Sequence, residues 1–102
     1  MIYNGDRFTF TYDCKIDGKQ HEFKNEHLLV VIYNALRKND YILKEIEISE
    51  PTTNLVISIS SNEMKKLKPG KHILEIKFIQ DNEPLTTLHE ELMIVESWWK
   101  NV

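Results

Sequence analysis

The stretch Ser60–Pro84, SSNEMKKLKPGKHILEIKFIQDNEP, decides how the rest of this chain is read. Its first residues spell one turn of helix over 61–67. Ser60 stands at the N-cap position, and Glu63, three residues on, completes a capping box. Met64 and Leu67 are three apart, so they share a face and can pack that turn onto a core. Pro69-Gly70 suits the centre of a type II turn, because Pro fixes φ and Gly accepts φ > 0. Then the period changes from three to two. His72, Leu74, Ile76 and Phe78 fall on one side of an extended segment, Glu75 and Lys77 on the other, and Asp81-Asn82-Glu83-Pro84 reverses the chain. One short helical crossover between strands is the signature of a β-sandwich.

Working outward, the same alternation recurs. Arg7–Ile16 places Phe8, Phe10, Tyr12, Cys14 and Ile16 on one face of a strand that ends at the turn pair Asp17-Gly18. Lys19–Glu26 is polar apart from Phe23 and reads as a loop or weak edge strand. His27–Asn34 is a continuous apolar run. Val30, Val31 and Ile32 in succession disfavour a helix through their stiff χ1 torsions, so the run reads as a strand buried on both faces. Lys38-Asn39-Asp40 turns the chain into Tyr41–Ser49, where Ile42, Ile46 and Ile48 oppose Glu45 and Glu47, and Pro51 stops it. Leu55, Ile57 and Ile59 alternate in one more strand, and Leu85–Val95 returns after the polar hairpin. The pattern predicts an all-β fold, an antiparallel immunoglobulin-like sandwich of six or seven strands formed by residues 1–102 as a single domain. The Cys–Trp–Cys signature of antibody domains is missing.

Composition bounds the function. The chain has 102 residues, 41% of them hydrophobic, which suits one core, and a net charge of −3. A nucleic-acid binder carries a basic excess, so no nucleic-acid partner is expected. The longest apolar run, Leu28–Tyr33, is far short of the ~20 residues of a membrane span, and no membrane partner is expected. MIYNGDRF lacks the regions of a signal peptide, and the single cysteine, Cys14, fits a reducing compartment. Synthesis in the cytoplasm is the expectation.

No constellation of catalytic residues stands out, and an enzyme is not expected. His21, His27, His72 and His89 have no ligand spacing and read as surface histidines. No metal and no cofactor are called for. Cys14 sits mid-strand among Phe10, Tyr12 and Ile16, where apolar surroundings leave a thiol inert. Glu45 and Glu47 lie opposite the isoleucines, as a solvated strand face does. The three glycines, Gly5, Gly18 and Gly70, are isolated, so no phosphate loop exists. The oddity is the C-terminal ESWWKNV. Adjacent tryptophans point to opposite sides of a strand, and Trp is enriched at binding hot spots. Trp98 and Trp99 are therefore the candidate protein-interface residues.

Three pieces together carry a resemblance: GDRFTFTYDCKIDG at Gly5–Gly18, LLVVIYNALRKND at Leu28–Asp40, and the Ser60–Glu96 segment just described. Their order resembles the N-terminal immunoglobulin-like domain of baseplate upper proteins from phages and prophages of Gram-positive bacteria. His72 departs from the pattern, standing where an aromatic such as Tyr is expected after Pro-Gly. The resemblance implies a structural or assembly role in a tail or baseplate. It implies contacts with other tail proteins or with further copies of itself, a place in the virion, and no catalytic residues. The alternative function is a bacterial binding module that holds a carbohydrate on an aromatic platform of Trp98, Trp99, Tyr33 and Tyr41.

Overall fold

The computed structural model describes residues 2–16, 18–80 and 82–97. At its centre is β5, Glu26–Asn34, the apolar run of the sequence. Leu28, Val30 and Ile32 point to one side and are fully buried, while Leu29, Val31 and Tyr33 point to the other and are only half-buried. β5 pairs antiparallel on one flank with β6, Tyr41–Ile48, and on the other with β8, Gly70–Gln80. β8 in turn pairs with the long β9, Glu83–Val95, through a hairpin in which Gln80 lies opposite Glu83 and Asn82 takes φ 63°. Asparagine tolerates that left-handed conformation better than most residues. Pro84 is the second residue of β9 rather than part of the turn, a position that an edge strand accommodates.

β1, Ile2–Tyr3, joins the far edge of β9 and runs parallel to it, Ile2 opposite Ile94. The five-stranded sheet, in the order β1-β9-β8-β5-β6, is therefore mixed, and the expectation of a wholly antiparallel architecture gives way at this strand. Over one face of the sheet lies a two-stranded ribbon, β2 (Phe8–Tyr12) against β7 (Leu55–Ile59). The strand expected over Arg7–Ile16 breaks at Asp13-Cys14. Beyond the break β3, Lys15–Ile16, forms a small hairpin with β4, Lys19–Gln20, and Gly18 supplies φ +77° in its turn. Cys14 thus sits in the break, not mid-strand, and is half-buried against the core.

The core fills the space between ribbon and sheet. Tyr12, Ile57 and Ile59 from the ribbon meet Leu28, Val30, Ile32, Leu74, Ile76 and Phe78 from the sheet. Each such side chain contributes roughly 1.5–3 kcal/mol through burial. Phe23, on the loop after β4, joins the layers: its ring lies 5.8 Å from Tyr12 and 5.7 Å, edge-on, from Phe78. Two polar ties cross the gap as well, Tyr12 Oη to Thr87 Oγ1 at 2.6 Å and Lys44 Nζ donating to the Ser58 carbonyl at 2.7 Å.

Between β7 and β8 runs α1, Ser61–Met64, with the capping box in place. Glu63 N–H donates to Ser60 Oγ and Ser60 N–H to Glu63 Oε1. The chain then tightens through Lys66 N–H to Glu63 O and Leu67 N–H to Met64 O, burying Met64 and Leu67. Gly70 does take a positive φ, but at 139° it is far from the +80° or so of a type II turn. It is already the first residue of β8, opposite Ile94.

Asn4, fully buried, ties both ends of the chain to this corner. Its Nδ2 donates to the Leu67 carbonyl at 3.0 Å and its Oδ1 accepts from Ser97 N–H at 3.0 Å. The segment leading to Trp98 is thereby fixed as far as Ser97.

Candidate functional site

The ribbon covers one face of the five-stranded sheet. On the other, residues of β6 and β5 stand uncovered. Parity along β6 sends Ile42, Lys44, Ile46 and Ile48 inward, so Tyr41 and Leu43 go outward, where they are 54% and 49% exposed. Register places Tyr41 directly opposite Tyr33 and Leu43 directly opposite Val31. The result is an apolar patch two strands wide. A shallow hollow of about 230 Å³ lies on it, lined by Val31, Tyr33, Lys38 and Tyr41.

Towards β8 the same face turns polar. Glu75 lies opposite Val31, and its carboxylate collects three donors. Tyr33 Oη donates to Oε1 at 2.8 Å, His89 Nδ1 lies 3.0 Å from the same oxygen, and Lys77 Nζ is 3.2 Å from Oε2. Burial alone would raise the carboxyl pKa; the hydrogen bonds from Tyr33, Lys77 and His89 and the lysine charge outweigh it and hold it below its usual 4.5. The same contact raises the Tyr33 phenol above 10.0, chiefly because its proton is bound to Glu75. A carboxylate stabilised in this way is a fixed anion and a poor proton acceptor. Its effect is to hold the Tyr33 ring in place beside Tyr41.

Among the described residues no strand pairs with the outer edge of β6, and its charges guard it. Lys44 points inward to the Ser58 carbonyl, and Glu45 and Glu47 follow it on the outward face. Inward-pointing charge on an edge strand opposes edge-to-edge pairing.

The residues singled out in the sequence fall in several places. Trp98 and Trp99 lie outside the described residues. Of the aromatic platform, Tyr33 and Tyr41 come together as a cross-strand pair. Glu45, Glu47, Glu50, Glu90 and Glu91 are exposed. The expectation of four surface histidines holds for His89 and in part for His27, and fails for His72 and His21. His72 is 0% exposed, its Nδ1 3.0 Å from the Gly70 carbonyl and its Nε2 without a hydrogen-bond partner. His21 is wedged against Phe23 and Phe78, with ring centroids at 5.2 and 5.6 Å, and pairs with Glu26 at 2.5 Å. His27 is half-buried, its Nε2 3.7 Å from Glu45 Oε2, too long for a hydrogen bond. Among the described residues no group of three or more His, Cys, Asp or Glu is placed to hold a metal ion, and no helix is long and apolar enough to cross a membrane.

Leu43 and Val31 were not singled out by the sequence reading. The signal for them is the excess of apolar residues in β5, whose two faces are both hydrophobic although only one meets the core. Compared with known proteins, the chain matches no protein-family model, no curated protein and no solved structure.

Proposed function

We propose that this chain is a non-enzymatic structural module that works through protein–protein contacts, and that the uncovered face of β5 and β6 is its working surface. The observation that carries the reading is the mismatch within β5. A strand apolar on both faces belongs in a sheet covered on both, and here the described residues supply a cover for only one. A contiguous apolar patch left over on a small domain marks an interaction site. The charges and hydrogen bonds around Glu75 are committed to one another, which suits a surface that holds its shape.

On this reading the resemblance to Gram-positive phage and prophage baseplate domains gives the setting. The chain is an immunoglobulin-like piece of a tail or baseplate, made in the bacterial cytoplasm and carried into the virion, with other tail proteins or its own copies as partners. It uses no cofactor, nucleic acid or membrane. Mass spectrometry of particles purified after prophage induction of the source strain tests this. Stoichiometric recovery among tail proteins is the expected result; particles that lack the chain would count against it.

A second reading is favoured by one specific observation, the cross-strand pair Tyr33–Tyr41. Two aromatic rings on a rigid sheet can seat a sugar ring, which would make the module a carbohydrate binder. Loss of glycan-array binding in Tyr41→Ala would support that reading.

A further inference from the structure

We propose that the patch is self-complementary and that its occupant is a second copy of this chain, the two outer faces packing together across a two-fold axis. The inference rests on the protein-contact reading above and names the partner for that surface.

Charges left unpaired on and beside the outer face select the partner. On the outer face Lys77 is engaged by Glu75 at 3.2 Å and Lys71 by Glu91 at 3.1 Å. Arg37, Lys38 and Asp40 in the turn before β6 and Glu47 near its far end, by contrast, have no ion-pair partner among the described residues, and Glu45, between Leu43 and Glu47 on the same face, meets only His27 at 3.7 Å. Lys38 borders the hollow beside Tyr41, in the turn before β6. Glu47 lies toward the far end of β6, about 20 Å along the strand from Tyr41. Tyr41 and Leu43 occupy the middle. Net charge thus runs from positive at the Arg37-Lys38-Asp40 turn, through Tyr41 and Leu43, to negative at Glu45 and Glu47.

An axis lying in the interface and running across the strands turns that sequence end for end. It lays β6 antiparallel over its copy, sets Tyr41 and Leu43 of one protomer on Leu43 and Tyr41 of the other, and brings each Lys38 toward the Glu45 and Glu47 end of the other. Such a contact is isologous and closes at two subunits. An axis along the strands would instead put Lys38 on Lys38 and Glu47 on Glu47, which like-charge repulsion disfavours. Pairing edge to edge through β6 is opposed by the inward Lys44.

A sugar fits the same rings less well. The Tyr33 hydroxyl and the Glu75 carboxylate, the polar groups nearest them, already bond each other, His89 and Lys77. Beside the rings the hollow's uncommitted polar groups are the Lys38 ammonium and the Tyr41 hydroxyl, a small set to read sugar hydroxyls. The patch is narrow beside the ~800 Å² per partner of a standard interface. The dimer should therefore be reversible, concentration-dependent and weakened by salt.

Sedimentation equilibrium of the full chain, at low and high protein concentration and low and high salt, tests the proposal. The wild type should dimerise with rising concentration and dissociate in salt, and Leu43→Glu should be a folded monomer. Lys38→Glu and Glu47→Lys should each weaken dimerisation about tenfold, or ~1.4 kcal/mol, and the two together should restore it. A wild type monomeric under all conditions overturns the proposal, as does a double reversal no tighter than the singles. A monomeric wild type still recovered in purified particles would discard the second copy while keeping the protein-contact reading. A monomeric wild type that binds glycans through Tyr41 would discard both.

Discussion

The two faces of the five-stranded sheet are built from the same strands and have opposite fates. On the inner face Leu28, Val30, Ile32, Leu74, Ile76 and Phe78 meet the ribbon and lose nearly all contact with water. On the outer face Leu29 and Val31 are as apolar as their inward neighbours and Tyr33 adds an aromatic ring, yet all three stay only half-buried. The difference teaches where stability ends and interaction begins. Apolar residues beyond what one core can use are a cost to an isolated domain and an asset to one that docks.

The largest effect expected of this contrast is in packing. Phe78→Ala should lower the unfolding free energy by about 3–5 kcal/mol, because it empties the centre of the core. Val31→Ala, on the neighbouring strand and the other face, should cost about 1 kcal/mol or less. Urea titrations of both variants measure this, and a Val31→Ala as costly as Phe78→Ala would mean that the outer face is structurally covered.

A smaller effect separates the faces at alkaline pH. Tyr12, 3% exposed on the inner side, has its phenol pushed up to about 12, first by burial, with further upward contributions from Cys14 and Asp13 against the lowering by Thr87. A raised folded-state pKa favours the neutral form in the fold. Its stabilisation is whole below the ordinary 10.0 and is lost as pH rises towards about 12. Tyr12→Phe should flatten the pH dependence of stability in that window, as thermal melts across it would show.

The smallest effect lies on the outer face at acid pH. The Glu75 carboxyl is depressed despite its burial, so its contribution is present above the usual 4.5 and is lost as pH falls through the lowered folded-state value. Removing one of its donors in Tyr33→Phe should shrink that acid-side loss. Melts that keep the full wild-type loss in Tyr33→Phe would show that the Tyr33 hydroxyl does not hold this carboxylate.

Much of the fold was legible because parity is a strong signal. Alternation assigned His72, Leu74, Ile76 and Phe78 to one face, and all four are buried together. The surface assignment of His72 failed because it followed the general habit of histidine rather than the parity of its own strand. The capping box at Ser60 was readable since its partners are local. Long-range features were not. The break at Asp13-Cys14 interrupts an alternation that continues on either side, without a glycine or proline to mark it. β1 is a pair of residues whose parallel placement depends on β9, at the other end of the chain. Of the surface, the sequence suggested Tyr33 and Tyr41 as aromatics but not as neighbours. Their meeting depends on the register of β5 with β6, and so does the role of Leu43. The apolar run Leu28–Tyr33 did announce two hydrophobic faces; it could not say that the ribbon would bury one and leave the other half-buried.

The central claim is that adjacent residues of β6 serve different ends, one the fold and the next the interface. Ile42 is 9% exposed and Leu43 is 49% exposed. The most direct test places the same charge at each, Ile42→Glu and Leu43→Glu, and follows circular dichroism and sedimentation in parallel. The account predicts that Ile42→Glu unfolds, since an unpaired charge cannot enter the core, and that Leu43→Glu folds as the wild type does but no longer associates. A Leu43→Glu protein that still associates as the wild type does, or an Ile42→Glu protein that folds normally, would contradict it.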